Sequence, residues 1–495
     1  MSASSVAMLN RRAFIRRTAA GAIGLSAAAL RVPAVRASAR AQRILVVGAG
    51  MAGLGAALEL VNQGHDVTVL EARTRPGGRV FTMRDPFTDG LYADAGAMQV
   101  YDSHQRVQRY IAQFSLDLDP IRPTAPGSLM FVMGHRIEVR PGAPPAWPFT
   151  LHADEQSLTS GGMFAKYVVP LLKDVHDADM AGQLLARFVK YDTMTFSDFL
   201  RAQGASPAAI AIMNAGLPTG LGDGGDHHSA LNLLREAAYR QIRTQAFTVR
   251  GGTDRLPKAL ASRLGERIKY ATAVARIEQD ASGVRAIARR RGSTETFVAD
   301  RLVLAVPFAV ARSIEFHPAL PAATRAAMEQ LPNTSVVKVF VQTRSRFWLA
   351  DGMSGGASTD LPIRLVSERT INQPGTHGIL EAYVVGPDAR RFCAMDDAAR
   401  LQAAAADLAK LFPAVASQYE GGASKCWEDD EWSRGAYAWF RPGQMARFLP
   451  VIGRPEGRIH FAGDHTSPTP GWMDGALHSA ERVVREISDT LPAHA

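Results

Sequence analysis

A glycine-rich turn between an apolar strand and a helix is the feature that most constrains how this chain can fold. The run 43–47, an arginine followed by four apolar residues, leads directly into Gly48, Gly50 and Gly53, and an Ala/Leu-rich stretch over 54–63 follows. A G-x-G-x-x-G motif is weak evidence when it stands alone, but between a strand and a helix it is typical of a dinucleotide-binding unit. The glycines let the backbone approach a pyrophosphate, and the amino terminus of the helix stabilises its charge.

The second strand of this unit ends on an acidic residue. Residues 67–70 are apolar or β-branched, and Glu71 follows 18 residues after Gly53. A carboxylate at this place accepts hydrogen bonds from a ribose. We therefore predict an α/β fold with a Rossmann-like nucleotide-binding domain. The alternative is a glycine-rich turn that binds nothing, and the order of strand, helix, strand and acid argues against it.

The positive charge of the chain is concentrated at its amino terminus. The 495 residues carry a formal net charge of +9, but residues 1–41 contain seven arginines and no aspartate or glutamate. The rest of the chain is therefore close to neutral. Since no basic patch interleaved with aromatic residues follows, we predict no nucleic-acid partner. A hydrophobic content of 46% is typical of a globular protein, and the length allows two or three domains.

The first 41 residues predict an export signal. Residues 10–16 form a twin-arginine pattern, an apolar stretch spans 19–30, and small residues suited to cleavage follow. The apolar stretch is too short to span a bilayer, so we predict no stable membrane anchor and a periplasmic or secreted protein. The alternative is a disordered basic extension on a cytoplasmic protein. The sequence leaves open whether Cys393 and Cys426 pair, and it implies no metal site.

The rest of the chain alternates segments of two kinds. Residues 154–240 have few β-branched runs, which predicts a mostly helical insertion that forms a lid or a wall of a substrate entrance. We predict strands at 268–277 and 301–307, an antiparallel sheet within 336–383, and a helix over 473–487. The expected organisation is a nucleotide-binding domain in three parts (42–83, 241–330 and 426–495), a substrate domain in two (84–152 and 331–425), and a helical insertion (153–240).

Four segments resemble the flavin-containing amine oxidases, the family of L-amino-acid, monoamine and polyamine oxidases. These segments are residues 48–71, 75–82, 94–98, and 461–464 with 471–476. The resemblance covers nearly all of the chain from residue 43 to residue 487, and residues 347–362 are particularly similar to the L-amino-acid oxidase branch. It implies an FAD-binding domain of the glutathione-reductase-like type, with a mixed-sheet substrate domain beside it.

The resemblance also implies a reaction. FAD takes a hydride from the carbon that bears the amine and passes the electrons to oxygen, which gives an imine and hydrogen peroxide. The substrate is then an L-amino acid or a related primary amine, and the imine hydrolyses to an oxo acid or an aldehyde with ammonia. The protein has to position the substrate and exclude solvent.

Residues are assigned to the cofactor by the same resemblance. Glu71 is expected to bind the ribose, Arg79 the phosphates, and Val274 the adenine side. The full set expected to contact FAD is Gly48, Gly50, Met51, Ala52, Gly53, Glu71, Ala72, Arg73, Gly78, Arg79, Gly96, Ala97, Met98, Gln99, Val274, Gly463, Asp464, Gly471, Trp472 and Met473.

Three residues are expected to be catalytic. Lys338 lies in an otherwise apolar run and resembles the family lysine that holds a water beside the reactive flavin nitrogen. Trp472 is expected to form one wall of the amine slot, and Tyr437 resembles one aromatic residue of the monoamine oxidase cage. The alternatives are an edge-strand lysine that points to solvent and a tryptophan that only packs in the core.

Two departures from the family pattern bear on the substrate and the cofactor. Gln99 stands where L-amino-acid oxidases carry an arginine that grips the substrate carboxylate, a loss of about 1 to 3 kcal/mol unless another cation compensates. Tyr383 resembles a tyrosine that also touches this carboxylate, so we place Gln99, Tyr383 and Gly471 in the substrate site. Ala436 stands where some monoamine oxidases carry the cysteine that bonds to the flavin, which predicts non-covalent FAD.

Other functions stay open at this stage. They are an amide-forming flavin monooxygenase, a dehydrogenase with another electron acceptor, a flavoprotein that only binds a partner, and a nicotinamide enzyme. The adjacent pair His227 and His228 is interpreted as a solvated loop without a role. The oligomeric state is also open, a homodimer included.

Overall fold

The computed structural model describes residues 41–217, 222–241 and 245–489. All but the last residue of the predicted export signal lies outside these ranges. The described strands are β1 (Arg43–Val47), β2 (Asp66–Leu70), β3 (Thr82–Met83), β4 (Ala93–Asp94), β5 (Val100–Tyr101), β6 (Leu118–Pro120), β7 (Gly127–Val132), β8 (His135–Val139), β9 (Ala246–Val249), β10 (Ile268–Lys269), β11 (Thr272–Gln279), β12 (Val284–Arg290), β13 (Ser293–Ala299), β14 (Arg301–Leu304), β15 (Glu315–His317), β16 (Val336–Thr343), β17 (Met353–Thr359), β18 (Leu365–Glu368), β19 (Gly378–Val385), β20 (Tyr419–Cys426) and β21 (Ile459–Phe461).

The α-helices of the described ranges follow the same chain order. They are α1 (Met51–Asn62), α2 (Gln105–Gln113), α3 (Ser160–Tyr167), α4 (Val169–Met180), α5 (Leu184–Phe188), α6 (Phe196–Ala202), α7 (Pro207–Gly216), α8 (Ala230–Gln241), α9 (Arg255–Leu264), α10 (Phe308–Ala311), α11 (Ala322–Gln330), α12 (Gly386–Cys393), α13 (Asp397–Leu411), α14 (Val415–Gln418), α15 (Gln444–Phe448) and α16 (Met473–Asp489).

A five-stranded parallel sheet in the order β10-β2-β1-β14-β21 carries the nucleotide-binding motif. Its strands come from the three stretches that the sequence assigns to this domain. The central strand β1 is apolar and buried except at Arg43, as expected of a parallel strand covered on both faces. Helix α1 packs against α16 so closely that a Cβ on Gly55 would lie 2.6 Å from the Leu477 side chain.

A seven-stranded sheet in the order β20-β16-β19-β18-β17-β7-β8 forms the second large unit. Its strands pair antiparallel except for the parallel pair of β17 and β7. The antiparallel sheet predicted within 336–383 is thus confirmed as part of a larger mixed sheet. Every residue of β16 is buried, because this strand lies between two others and is covered on both faces.

The boundaries of several elements differ from the prediction. Helix α1 begins at Met51 rather than Leu54, because the residues after Gly50 already adopt helical geometry. The strand predicted over 268–277 is broken at Ala271, whose φ of 52° lies in the left-handed region. The strand predicted over 301–307 ends at Leu304, since Pro307 has no N–H for the sheet and instead precedes α10.

The region 154–240 is helical as predicted, with α3 to α8 in its described part. No helix in the described ranges has both the length and the apolar character that are needed to span a bilayer. Cys393 and Cys426 form a disulfide that joins the end of α12 to the end of β20. The exact domain boundaries stay a prediction.

Candidate active site

A cavity of about 390 Å³ opens at the carboxyl ends of β1, β2 and β14. In open parallel sheets this edge is where ligands bind. The cavity wall includes every residue that the sequence assigns to the cofactor, the substrate or catalysis, with Gly53 as the exception. Residues separated by more than 400 positions in the chain therefore meet around one space.

Gly53 supports the turn instead of lining the cavity. A Cβ at this position would lie 1.9 Å from the carbonyl oxygen of Gly48, far inside any allowed contact. Its hydrogen lets α1 pack directly on the glycine turn. Gly48 itself has a φ of +102°, a conformation that favours glycine. The assignment of Gly53 to the cofactor is thus corrected: Gly53 packs against the backbone of Gly48, which lines the cavity.

Glu71 occupies the end of β2, inside the cavity wall. Its carboxylate accepts hydrogen bonds from the backbone N–H of Ala49 at 2.6 Å and of Arg73 at 2.8 Å. These bonds hold both oxygens in place. Burial raises the pKa of Glu71, although the two N–H donors oppose this shift. A buried acceptor in this position fits the hydroxyl groups of a ribose.

Arg79 connects the first part of the nucleotide-binding domain to the last. Its guanidinium donates to the carbonyl oxygen of Ala436 and pairs with the carboxylate of Asp464. Asp464 in turn accepts the N–H of Gly471 at 2.8 Å. This chain of contacts orders the cavity wall around Gly471, and the role of Arg79 toward phosphates stays a prediction.

Lys338 on strand β16 also lines the cavity. Its ammonium donates to the carbonyl oxygens of Asp94 at 3.0 Å and Gly96 at 2.9 Å, and Glu381 lies 3.5 Å away. Burial lowers the pKa of Lys338, while Glu381 acts in the opposite direction. The interpretation of Lys338 as a solvent-facing residue of an edge strand is wrong, because β16 is an interior strand and only 5% of the side chain is exposed.

The aromatic residues of the predicted amine slot, here called the aromatic wall, all line this cavity. The Tyr437 ring lies against Gly471, where an added Cβ would come within 3.2 Å of it. The side chains of Tyr437 and Tyr383 are hydrogen bonded to each other. Trp472 is half-buried and contacts the Tyr101 ring edge to face at 5.5 Å, so it is not a core tryptophan.

Gln99 also lines the cavity. Its side-chain oxygen accepts a hydrogen bond from the Tyr101 hydroxyl at 3.2 Å. The neutral amide therefore faces the cavity beside an aromatic cluster, where a carboxylate-binding arginine was the family expectation.

Comparison with known proteins decides the family. The family model described as flavin containing amine oxidoreductase matches residues 51–488. This chain belongs to that family. Among its relatives, the protein YobN of Bacillus subtilis (strain 168), provisionally named an L-amino-acid oxidase, is 30% identical over 465 residues, which cover 91% of this chain and 96% of YobN. The L-amino-acid oxidase of Vipera ammodytes ammodytes is 30% identical over 457 residues, with 90% and 93% covered.

Solved structures agree with the fold of this amine oxidoreductase. Putrescine oxidase bound to putrescine superposes with a TM-score of 0.75 and 25% identity, over 90% of this chain and 99% of that one. Cyclohexylamine oxidase from Brevibacterium oxydans has a TM-score of 0.77 at 23% identity, over 91% and 99%. The predicted fold class and the predicted family of FAD-dependent enzymes are confirmed.

The cavity of this amine oxidoreductase fits FAD in its chemistry. Its nucleotide end offers the tight turn at Gly48, the uncapped amino terminus of α1, and the buried acceptor Glu71. Its other end offers the buried amine of Lys338 beside the aromatic wall. Ala436 lines the same space, and its methyl group has no sulfur for a covalent bond.

Several wall residues of the amine oxidoreductase were missed from the sequence. They are Tyr101, Glu236, Arg240, Ser367, Arg369 and Trp427. Glu236 and Arg240 are four residues apart on α8, so their shared helical face was the one available signal. His228 was misinterpreted as solvated, because it is buried and stacks on Trp439 at 5.3 Å, whereas His227 is exposed.

Proposed function

We propose that this amine oxidoreductase is an oxidase of L-amino acids or related primary amines that uses oxygen as its electron acceptor. One observation carries the proposal: Lys338, Tyr437 and Trp472 share a single cavity with the nucleotide-binding turn. The names of its relatives, which include L-amino-acid oxidases and putrescine oxidase, support the same reaction class.

FAD, when bound, would supply the redox chemistry, in which a hydride leaves the amine-bearing carbon and two electrons pass on to oxygen. The residues of this chain have the task of positioning. Tyr437 and Trp472 hold the amine between aromatic faces, and the apolar surroundings favour the neutral amine that can react. Lys338 has the task of holding a water at the cavity wall. The carbonyl oxygens of Asp94 and Gly96 fix the position of the Lys338 ammonium group.

FAD is held without a covalent bond in this proposal, because Ala436 offers no nucleophile. Acid precipitation of the yellow holoprotein is expected to release all of the FAD into the supernatant. Flavin that stays with the protein pellet would contradict this part of the proposal.

Export through the twin-arginine route is a further part of the proposal. The paired arginines Arg11 and Arg12 support it, as does the disulfide between Cys393 and Cys426, because disulfides persist in oxidising compartments. In a bacterial host, replacing both arginines with lysine is expected to keep the protein in the cytoplasm, while Arg16→Lys is the control. Equal periplasmic amounts of the double variant and the control would contradict export by this route. A homodimer stays a prediction.

The reaction is tested with purified, FAD-loaded protein and a panel that pairs each L-amino acid with its decarboxylated amine. Peroxide release, ammonia release, and an oxo acid or aldehyde by mass spectrometry are the expected results. An amide product would favour the monooxygenase instead. Flavin that is reduced by substrate under nitrogen but reoxidised slowly by oxygen would favour a dehydrogenase, and no flavin reduction by any panel member would refute the proposed function.

A further inference from the structure

Five cationic side chains line the cavity in the described part of the chain. They are Arg73, Arg79, Arg240, Lys338 and Arg369. A carboxylate-bearing substrate needs a cation that still has donors to offer, so their existing partners decide which of them is suited to this task.

Four of these cations are closely engaged by carboxylates. Arg73 pairs with Asp430 and Arg79 with Asp464, both beside the nucleotide-binding residues. Arg369 donates to Glu381 at 2.5 Å, and Lys338 shares the same carboxylate at 3.5 Å. Each of these pairs is mostly buried, so breaking one to bind a substrate would leave a buried charge without its partner.

Arg240 differs from the other four. Its guanidinium lies 4.0 Å from the Glu236 carboxylate, beyond hydrogen-bonding distance, and its side chain is 35% exposed. Glu236 is held by the Asn232 side-chain amide at 2.6 Å. Glu236 therefore attracts Arg240 toward the cavity wall without occupying the fork of donors that a guanidinium presents.

Arg240 lines the same cavity as the pair Tyr383 and Tyr437. Glu236 and Arg240 are close enough to Tyr437 to act on the charge of its hydroxyl in opposite directions. Tyr437 is hydrogen bonded to Tyr383. Helix α8 thus brings a cation into the cavity that Tyr383 lines, while Gln99 contributes a neutral amide.

We propose that Arg240 binds the carboxylate of the substrate, so that this enzyme prefers α-amino acids to simple amines. The inference rests on the proposed oxidase function. A guanidinium holds a carboxylate through two parallel N–H donors, and the apolar walls of the cavity strengthen this contact. Arg240 on α8 takes over the task for which the neutral side chain of Gln99 is unsuited.

The test compares Arg240→Met with Arg201→Met. Arg201 lies on α6 of the same helical region, is 64% exposed, and pairs with Asp198 away from the cavity. Arg240→Met is expected to raise the KM for amino acids about 10- to 100-fold, the loss typical of a charge-assisted contact, and to leave the KM for the matching amines within twofold. Arg201→Met is expected to change neither value.

Binding without turnover gives a second readout. Benzoate carries a carboxylate and no amine, and its binding is followed by the change in the flavin absorption spectrum. Arg240→Met is expected to weaken benzoate binding by the same factor as it raises the amino-acid KM. The double variant Gln99→Arg with Arg240→Met is expected to recover binding, because it returns a cation to the cavity that both positions line.

The outcomes separate this inference from the proposed function. Wild-type enzyme that oxidises amines better than amino acids would overturn the role of Arg240 and leave an amine oxidase. Equal losses for amino acids and amines in Arg240→Met would mean a structural role and would also overturn it. If Glu236→Gln impairs diamines alone and Arg240→Met has no effect, the pair recognises a distal ammonium and the inference fails. Absence of oxidation for both substrate classes would instead refute the oxidase proposal itself.

Discussion

The ammonium nitrogen of Lys338 lies 5.5 Å from the centre of the Tyr383 ring, because the two residues face each other across the antiparallel strands β16 and β19. Tyr383 in turn contacts Tyr437 through its hydroxyl. One pair of strands thus links the buried amine to the aromatic wall of the cavity. Lys338 and Tyr383 hold their positions through the backbone pairing of two strands, which gives the rigidity that a redox site needs.

Replacing Lys338 with methionine is expected to slow the oxidase reaction by about 100-fold without loss of FAD, since the positioning of a single group typically contributes on this order. Stopped-flow absorbance separates flavin reduction from reoxidation by oxygen. The control is Lys173→Met on the surface of α4, where the side chain is 84% exposed. Unchanged rates in both half-reactions would contradict a role for Lys338 in the chemistry.

Glu71→Gln is expected to weaken FAD binding by about 1.5 to 3 kcal/mol, because the neutral amide is a poorer acceptor for both the backbone donors and a ribose. Recovery of flavin fluorescence during dilution measures the dissociation constant. Glu138→Gln in the exposed part of β8 serves as the control. An FAD affinity equal to that of the wild type would show that the acid does not contact the cofactor.

Acid is expected to destabilise the protein through His465. This ring is buried against Phe308, and burial lowers the pKa of His465 to about 4. In the unfolded chain its pKa is near 6.5, so the stabilising effect of the neutral ring is complete above pH 6.5 and is lost as the pH falls toward 4. The loss amounts to about 3 kcal/mol.

Thermal melts between pH 4 and pH 7 test this expectation. His465→Leu is expected to flatten the decline of the melting temperature, but only in part, because burial lowers the pKa of His478 to about 4 as well. Identical pH profiles of the variant and the wild type would exclude His465 as a source of the acid sensitivity.

Reduction of the disulfide between Cys393 and Cys426 is expected to lower the stability by about 3 to 4 kcal/mol, since the closed segment restricts the unfolded chain. Urea unfolding with and without dithiothreitol measures the difference. The variant with serine at both positions is the control, and its midpoint is expected not to respond to the reductant. A midpoint of the wild type that is insensitive to dithiothreitol would refute the prediction.

Much of the cofactor end was predictable from local sequence. The turn at Gly48, the helix after it and the acid Glu71 lie within 24 residues of one another, and each part has a conformational requirement that few residue types meet. The family resemblance then placed Lys338, Tyr437 and Trp472, all of which line the same cavity.

The other features depend on contacts that local patterns do not encode. The apolar run around Lys338 is compatible with an edge strand or an interior strand, and only the neighbours β19 and β20 decide between them. The pairing of Cys393 with Cys426 depends on the spatial distance between two cysteines that are 33 residues apart in the chain. The polar sequence around His228 suggested a solvated side chain, but in the folded protein Trp439 stacks on its ring.

The sequence by itself determined the nucleotide-binding unit, the family and most of the residues around the cofactor, because these follow from short motifs in which backbone geometry and chemistry are specified together. The tertiary structure alone decided which charges face the substrate. Arg240 and Glu236 reach the cavity from a helical region far from every motif. The carboxylate partners of Arg73 and Arg79 lie 357 and 385 positions away in the chain. Electrostatic roles of this kind depend on distances between side chains, which the fold creates and a one-dimensional pattern does not contain.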